Sequence, residues 1–222
     1  MRTLFITGGN GEIGQAILYK FKQDHHLINP TRIEMDLLNM DSVDTYLNTL
    51  SDIDIFIHCA GINEPKEISN ILIEDLNKTL TINAISFYKI VNHLIKYSKL
   101  KENAYILAIS SIYGFLSRKK RFSYSSSKHC LNGMVKSLAI ELGEKNIKVN
   151  SISPGFVDTE LTRTNNSLEK IKSFISKIPL GRLANSEDIA EVAYFICSLS
   201  NRYITGQQIV IDGGYTAGGF EE

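Results

Sequence analysis

The sequence predicts an α/β fold, a doubly wound parallel sheet with helices on both faces, in a single domain over residues 1–222. Three observations predict it. Short apolar, β-branched segments alternate with helical periodicity along the whole chain, which is the pattern of βα units around a parallel sheet. A glycine cluster ends the first such segment and opens the first helix. The length of 222 residues, 43% hydrophobic and 22% charged, suits one ordinary globular core.

The elements follow in order. Arg2–Thr7 is a short apolar strand. Ile13, Ile17 and Phe21 share one face of a helix over residues 13–21. Residues 27–31 form a weaker second strand, and residues 33–36 a third that follows almost at once. Val43, Tyr46, Leu47 and Leu50 share a face of a helix over 42–50, and Ile53–His58 is the next strand. Helices are predicted at 73–81 and 84–97, a strand at 104–109, a long helix at 124–142 and a strand at 148–152. Helices at 168–178 and 187–199 precede a last strand, Gln208–Ile211. Such sheets bind ligands at the carboxyl ends of their strands. The glycine cluster, Cys59-Ala60-Gly61, Ser110-Ser111 and Pro154-Gly155 all fall there, so distant segments should meet in one cleft.

Twenty-four Lys plus Arg balance 24 Asp plus Glu, a formal net charge of zero. That argues against nucleic acid and membrane as partners, since both need a basic surface. No apolar run approaches the ~18 residues of a spanning helix. The first residues meet Gly8-Gly9 too early for a signal peptide. Cys59, Cys130 and Cys197 are widely separated, and the five histidines show no ligand spacing. Neither a disulfide framework nor a metal is expected, and a reducing cytoplasmic setting is.

The loop Thr7-Gly8-Gly9-Asn10-Gly11-Glu12-Ile13-Gly14 joins the first strand to the first helix. Glycines there permit a tight turn and let the backbone approach a pyrophosphate, while the helix N-terminus supplies amide donors. Gly8, Asn10, Gly11, Ile13 and Gly14 are therefore candidate dinucleotide contacts of a Rossmann-type domain.

From this loop onward the chain resembles the short-chain dehydrogenase/reductase family, over Leu4 to Gly214. The loop is similar to the family's Thr-Gly-x-x-x-Gly-x-Gly. Glu12 stands at the middle glycine, however, and Gly11 comes one residue early. Asp36-Leu37 resemble the pair that holds adenine. His58-Cys59-Ala60-Gly61 resemble Asn-Asn-Ala-Gly, with Cys59 at a position that steadies the central strand. Ser111, then Tyr124 thirteen residues later, then Lys128 four further on, match the active-site pattern. Tyr124 and Lys128 share one helix face. Asn83 matches the fourth catalytic position. Pro154, Gly155, Val157 and Thr159 match the loop that packs on nicotinamide. Gly181-Arg182-Leu183 and the segment from Ile204 to Gly214 match the C-terminal signature. The overall look is that of the 3-oxoacyl-[acyl-carrier-protein] reductases.

The resemblance implies hydride transfer between a nicotinamide cofactor and a small-molecule carbonyl or secondary alcohol, with a carrier-bound 3-oxoacyl thioester among the candidates. Tyr124 donates the proton, Ser111 bonds the substrate oxygen, Lys128 binds the ribose hydroxyls and Asn83 holds a relay water. A Lys ammonium ~4 Å from a Tyr hydroxyl contributes roughly 4 kcal/mol at an effective dielectric of 20, enough to bring Tyr124 from about 10 towards 7.

The second strand ends in Pro30-Thr31-Arg32. An acid there would favour NAD. A guanidinium suits a 2′-phosphate instead, so NADP(H) is favoured over NAD(H), with Thr31 and Arg32 as contacts. Glu34 is the alternative ribose acid. Residues 159–179 should form a lid, with Leu168, Ile171, Phe174 and Ile175 at helical spacing. Arg118-Lys119-Lys120-Arg121 is ordinarily a solvated loop. Beside a substrate entrance it suits a phosphopantetheine thioester, an acidic carrier protein or a sugar phosphate. The resemblance also implies a homodimer or homotetramer whose subunit contact is made by the helices at 84–97 and 124–142, with Tyr88, Val91 and Ile95 supplying apolar surface. Two other readings stay open: an NAD-dependent sugar or polyol dehydrogenase, and a catalytically silent nucleotide-binding regulator.

Overall fold

The computed structural model describes residues 1–218, so the last four residues of the expected domain lie outside the described residues. Its strands are β1 (Arg2–Thr7), β2 (His25–Ile28), β3 (Ile53–His58), β4 (Leu100–Ile109), β5 (Lys148–Pro154) and β6 (Gln208–Ile211). Its helices are α1 (Glu12–Phe21), α2 (Met40–Thr49), α3 (Ile73–Leu80), α4 (Ser86–Lys96), α5 (Phe122–Glu141), α6 (Glu160–Thr164), α7 (Leu168–Ile175), α8 (Ser186–Ile196) and α9 (Tyr215–Gly218). The strands form one parallel sheet in the order β2-β1-β3-β4-β5-β6.

The alternation of a strand divides the core into two layers. Leu4, Ile6, Ile55 and Ile57 pack with Ile17 and Phe21 of α1 and Ile189, Ala193 and Ile196 of α8. Phe5 and Phe56 point the other way, onto Val43 and Leu47 of α2, Phe87 and Ile90 of α4, and Leu131 and Val135 of α5. Burial on both faces is why these strands read as nearly continuous apolar runs. The winding reverses at β1: the chain goes outward to β2, then crosses back through α2 to β3. The carboxyl ends of β1 and β3 flank that reversal, where such folds bind ligands.

The expected third strand is absent. Pro30 offers no N–H to a ladder, and the chain turns instead. The Met35 amide donates to the Thr31 carbonyl at 3.0 Å, and Ile33 is 97% exposed. The second strand accordingly ends at Ile28 rather than Thr31. The expected helices at 73–81 and 84–97 are joined without a break by a π-helical turn, Thr81–Ile85, which buries Asn83. The expected apolar contact surface also changes. Tyr88 is 56% exposed, but Val91 is core and Ile95 packs against it.

The C-terminal signature is structural stitching. Asn150 of β5 donates to the Ile204 carbonyl and accepts from the Gln207 amide, while Thr205 accepts from the Val149 amide. Arg182 forms a forked pair with Asp188, which also closes the capping box of α8. Among the described residues no helix is long and apolar enough to cross a membrane.

Candidate active site

A cleft of about 740 Å³ runs along the carboxyl edge of the sheet. Its floor is the glycine loop. Gly8 has φ +71°, and a Cβ there would sit 2.5 Å from the Ala60 amide nitrogen. A Cβ at Gly14 would overlap the Gly8 carbonyl oxygen. The loop is thus pressed against both the β3 end and α1, which only glycine permits. Gly11 caps α1 without a side-chain hydrogen bond, leaving the first-turn amides to the cleft. Glu12 does not spoil this geometry. Its carboxylate turns to the lid, accepting from the Glu160 amide at 2.6 Å and from Arg163 at 2.8 Å.

The glycine-loop candidates Gly8, Asn10, Gly11, Ile13 and Gly14 line the cleft, as do Arg32, Asp36, Leu37, Cys59, Ala60, Gly61, Pro154, Gly155, Val157 and Thr159. Thr31 does not. Its amide and hydroxyl donate to Glu34 at 2.7 and 2.9 Å, which draws both residues into a turn outside the lining. These bonds turn the Glu34 carboxylate onto Thr31, outside the lining, and hold it below the usual range. Arg32 stays largely exposed at the cleft end, loosely paired with Asp36 at 3.7 Å.

At the other end Ser111, Tyr124 and Lys128 line the same cleft. Ser111 is fixed at the N-terminus of a short 3-10 turn, its hydroxyl accepting from the Tyr113 amide at 3.1 Å. Lys128 is buried, its ammonium donating to the Ile109 carbonyl at 2.8 Å, and burial lowers it to about 8. Tyr124 is not lowered towards 7. Burial pushes it up to about 12, against a lowering contribution from its hydrogen bond with Ser111. The Lys128 ammonium lies 5.7 Å from the Tyr124 ring centre and is turned to the Ile109 carbonyl, so the expected Lys128 effect is not seen.

Asn83 sits behind the cleft wall, fully buried. Its amide accepts from the Ile62 amide at 2.8 Å and donates to the Ile62 carbonyl at 3.0 Å and the Ser127 hydroxyl at 2.9 Å. Both N–H donors are used, so this side chain holds the Gly61-Ile62 segment against α5. Cys59 is a packing group: burial pushes its thiol up to about 12.

Two residues have places that the sequence did not assign to them. His58 is fully buried between the Thr7 hydroxyl at 2.9 Å and the Ile82 carbonyl at 3.2 Å. The carbonyl can only accept, so Nε2 carries the hydrogen and Nδ1 accepts from Thr7. Desolvation lowers His58 to about 3. It stitches β1, β3 and the π turn beneath the cleft. Arg121, read as part of a basic run, is 4% exposed and lines the cleft near Tyr124.

A family model described as enoyl-(acyl carrier protein) reductase matches residues 22–216. The chain belongs to the short-chain dehydrogenase/reductase family. It is an oxidoreductase of that family, with the fold of its members. It is 32% identical to 3-oxoacyl-[acyl-carrier-protein] reductase of Aquifex aeolicus over 217 residues, covering 96% of this chain and 86% of the relative. A 4-hydroxyisoleucine dehydrogenase complexed with NADH superposes with TM-score 0.88 at 30% identity, over 98% of this chain and 100% of that one. ElxO with NADP bound superposes with TM-score 0.85 at 25% identity, over 97% and 99%. Solved structures similar to this chain thus include one with NADH and one with NADP.

Proposed function

We propose that this enzyme reduces a ketone to a secondary alcohol with a nicotinamide dinucleotide, NADP(H) in preference to NAD(H). One observation carries the reading: Ser111, Tyr124 and Lys128 line one end of a cleft whose other parts are a glycine cradle and Arg32. The cradle fits a dinucleotide, because Gly8 and Gly14 let the loop pack closely on the β3 end and on α1, and the first-turn α1 amides have no side-chain cap. Gly8, Gly11 and Gly14 would hold the pyrophosphate, Asp36 and Leu37 the adenine end, and Pro154, Val157 and Thr159 the nicotinamide end. When bound, the dinucleotide supplies the hydride.

The chain's own residues handle the proton. Tyr124 keeps its proton at neutral pH and gives it to the substrate oxygen as that oxygen gains charge. Ser111 donates a hydrogen bond to the same oxygen. Lys128 remains mostly cationic at pH 7 and would hold the ribose hydroxyls. Asn83 is a positioning residue for the wall beside Lys128. Arg32 supports NADP(H), since it is the charged group at the β2 end that lines the cleft, only loosely paired with Asp36, while Glu34 is folded onto Thr31.

The chain acts as one domain on a small-molecule carbonyl, in a reducing cytoplasm that keeps its three free cysteines unpaired. It pairs as a homodimer or homotetramer through α4 and α5, where Tyr88 and Ile140 are exposed. The 3-oxoacyl relatives make an acetoacetyl thioester the first compound to try. Nicotinamide oxidation should be at least tenfold more efficient with NADPH than with NADH, and Arg32→Glu should abolish that preference. Absence of turnover with either cofactor across thioesters, ketones and oxo acids would overturn the reading.

A further inference from the structure

The substrate end of the cleft holds two guanidinium groups that the proton chemistry does not use. Arg121 precedes α5, and its Nε is buried with no hydrogen-bond partner. Its guanidinium makes a long contact from Nη1 to the neighbouring Lys120 carbonyl, 3.4 Å. A buried donor left unmade is costly, and a buried charge left unpaired more so. Arg118 stands beside it, with its guanidinium 5.1 Å from the Phe174 ring centre and 5.7 Å from that of Tyr113. It donates to Asn166 at 3.2 Å. Burial lowers Arg121, and the charge of Arg118 lowers it further.

Two neighbouring cations, one in the same loop and one on the lid, are paired with carboxylates. Lys120 in the same loop meets Glu67, and Arg163 on the lid meets Glu12 and Asp158. Among the described residues neither Arg118 nor Arg121 has an acidic partner. Both nevertheless line the cleft with Ser111, Tyr113 and Tyr124, and the charge of Arg121 is felt at the Tyr124 hydroxyl. A ligand anion that relieved this repulsion would therefore sit close to the carbonyl being reduced.

We infer that Arg121 and Arg118 form a carboxylate-binding subsite, and that the substrate is a short oxo acid whose carboxylate lies a few bonds from its ketone. The guanidinium fork matches a carboxylate, and the aromatic walls suit a short carbon chain. A thioester places only a neutral group beside the ketone, and the phosphate of a carrier arm is many bonds away. This inference rests on the ketone-reducing reading of the cleft and narrows its substrate class.

The test compares 3-oxobutanoate and 4-oxopentanoate with their methyl esters and with an acetoacetyl thioester, using NADPH. At least one acid should exceed its ester at least tenfold in kcat/KM. Arg121→Gln should bring that ratio near one, and Arg118→Gln should reduce it. Arg121→Lys, which keeps the charge and loses the fork, should fall between. If Arg121→Gln does not fold, Arg118→Gln and Arg121→Lys carry the comparison. Calorimetry of both acids and both esters on NADPH-loaded Tyr124→Phe reads binding apart from turnover. An acid that binds tenfold tighter than its ester, without turnover of any compound by the wild type, would keep the subsite and sink the reductase reading. Turnover of esters and thioester as readily as acids, with equal binding, would keep the reductase and overturn the subsite.

Discussion

Tyr124 and Lys128 stand four residues apart on one helix, yet burial moves their proton affinities in opposite senses. It raises the neutral acid Tyr124 to about 12 and lowers the cation Lys128 to about 8, because both moves keep charge out of a poorly solvated wall. His58 below them obeys the same rule and yields a measurable consequence. Its folded proton affinity drops from 6.5 to about 3, so the unfolded chain binds the proton first as pH falls. The stability that neutral His58 provides is whole above pH 6.5 and is lost progressively down to about pH 3. Between pH 7 and 5 this single group should cost about 2 kcal/mol of unfolding free energy. Urea unfolding at the two pH values should show that drop in the wild type, and His58→Asn should lessen it by about that amount. An unchanged acid slope in the variant would contradict the assignment. That Tyr124 and Lys128 share a face was legible from helix geometry, whereas Ser111 was legible only through the family resemblance, since it stands outside that helix. Arg121 was not legible. Four adjacent basic residues look solvated, and only the fold of the loop over Tyr113 decides which of them is buried.

Among the elements, the lid is tied to the glycine loop by Glu12. Its two oxygens bridge the first turn of α1 to the Glu160 amide and to Arg163, which also holds Asp158. A residue that looked like a flaw in the glycine pattern thus serves as a latch on α6. Surface ion pairs of this kind are weak and salt-sensitive, so the latch should open readily. Glu12→Gln should raise amide hydrogen exchange in residues 160–164 several-fold and leave the exchange of β3 and β4 unchanged. Equal exchange in the two proteins would show that the latch does not hold the lid. Most strands and helices were legible, because strands buried on both faces and one-sided helices leave distinct periodicities. Two features were not. The missing third strand follows from the Thr31–Glu34 hydrogen bonds, a competition that apolar patterning does not register. The π turn at Asn83 has no periodicity of its own, since it adds a single residue within a continuous helix.

For the whole molecule, the parallel order β2-β1-β3-β4-β5-β6 makes the site. It gathers the ends of β1, β3, β4 and β5 at one edge, so residues more than a hundred apart line one cleft. Winding and cleft position were legible from the alternation of elements alone. The selectivity at its two ends was less so, because it depends on which charges find partners within the fold. Arg32 at one end and Arg121 with Arg118 at the other lack close acidic partners among the described residues, apart from the loose approach of Arg32 to Asp36. The central claim is that this cleft reduces a carbonyl with Tyr124 as the proton donor. The most direct measurement compares wild type with Tyr124→Phe in NADPH oxidation by the best ketone of the panel, alongside NADPH affinity from nicotinamide fluorescence. Removing a general acid should lower kcat by roughly 10²–10⁴-fold, with NADPH affinity held within about threefold. Turnover that survives the substitution would contradict the claim.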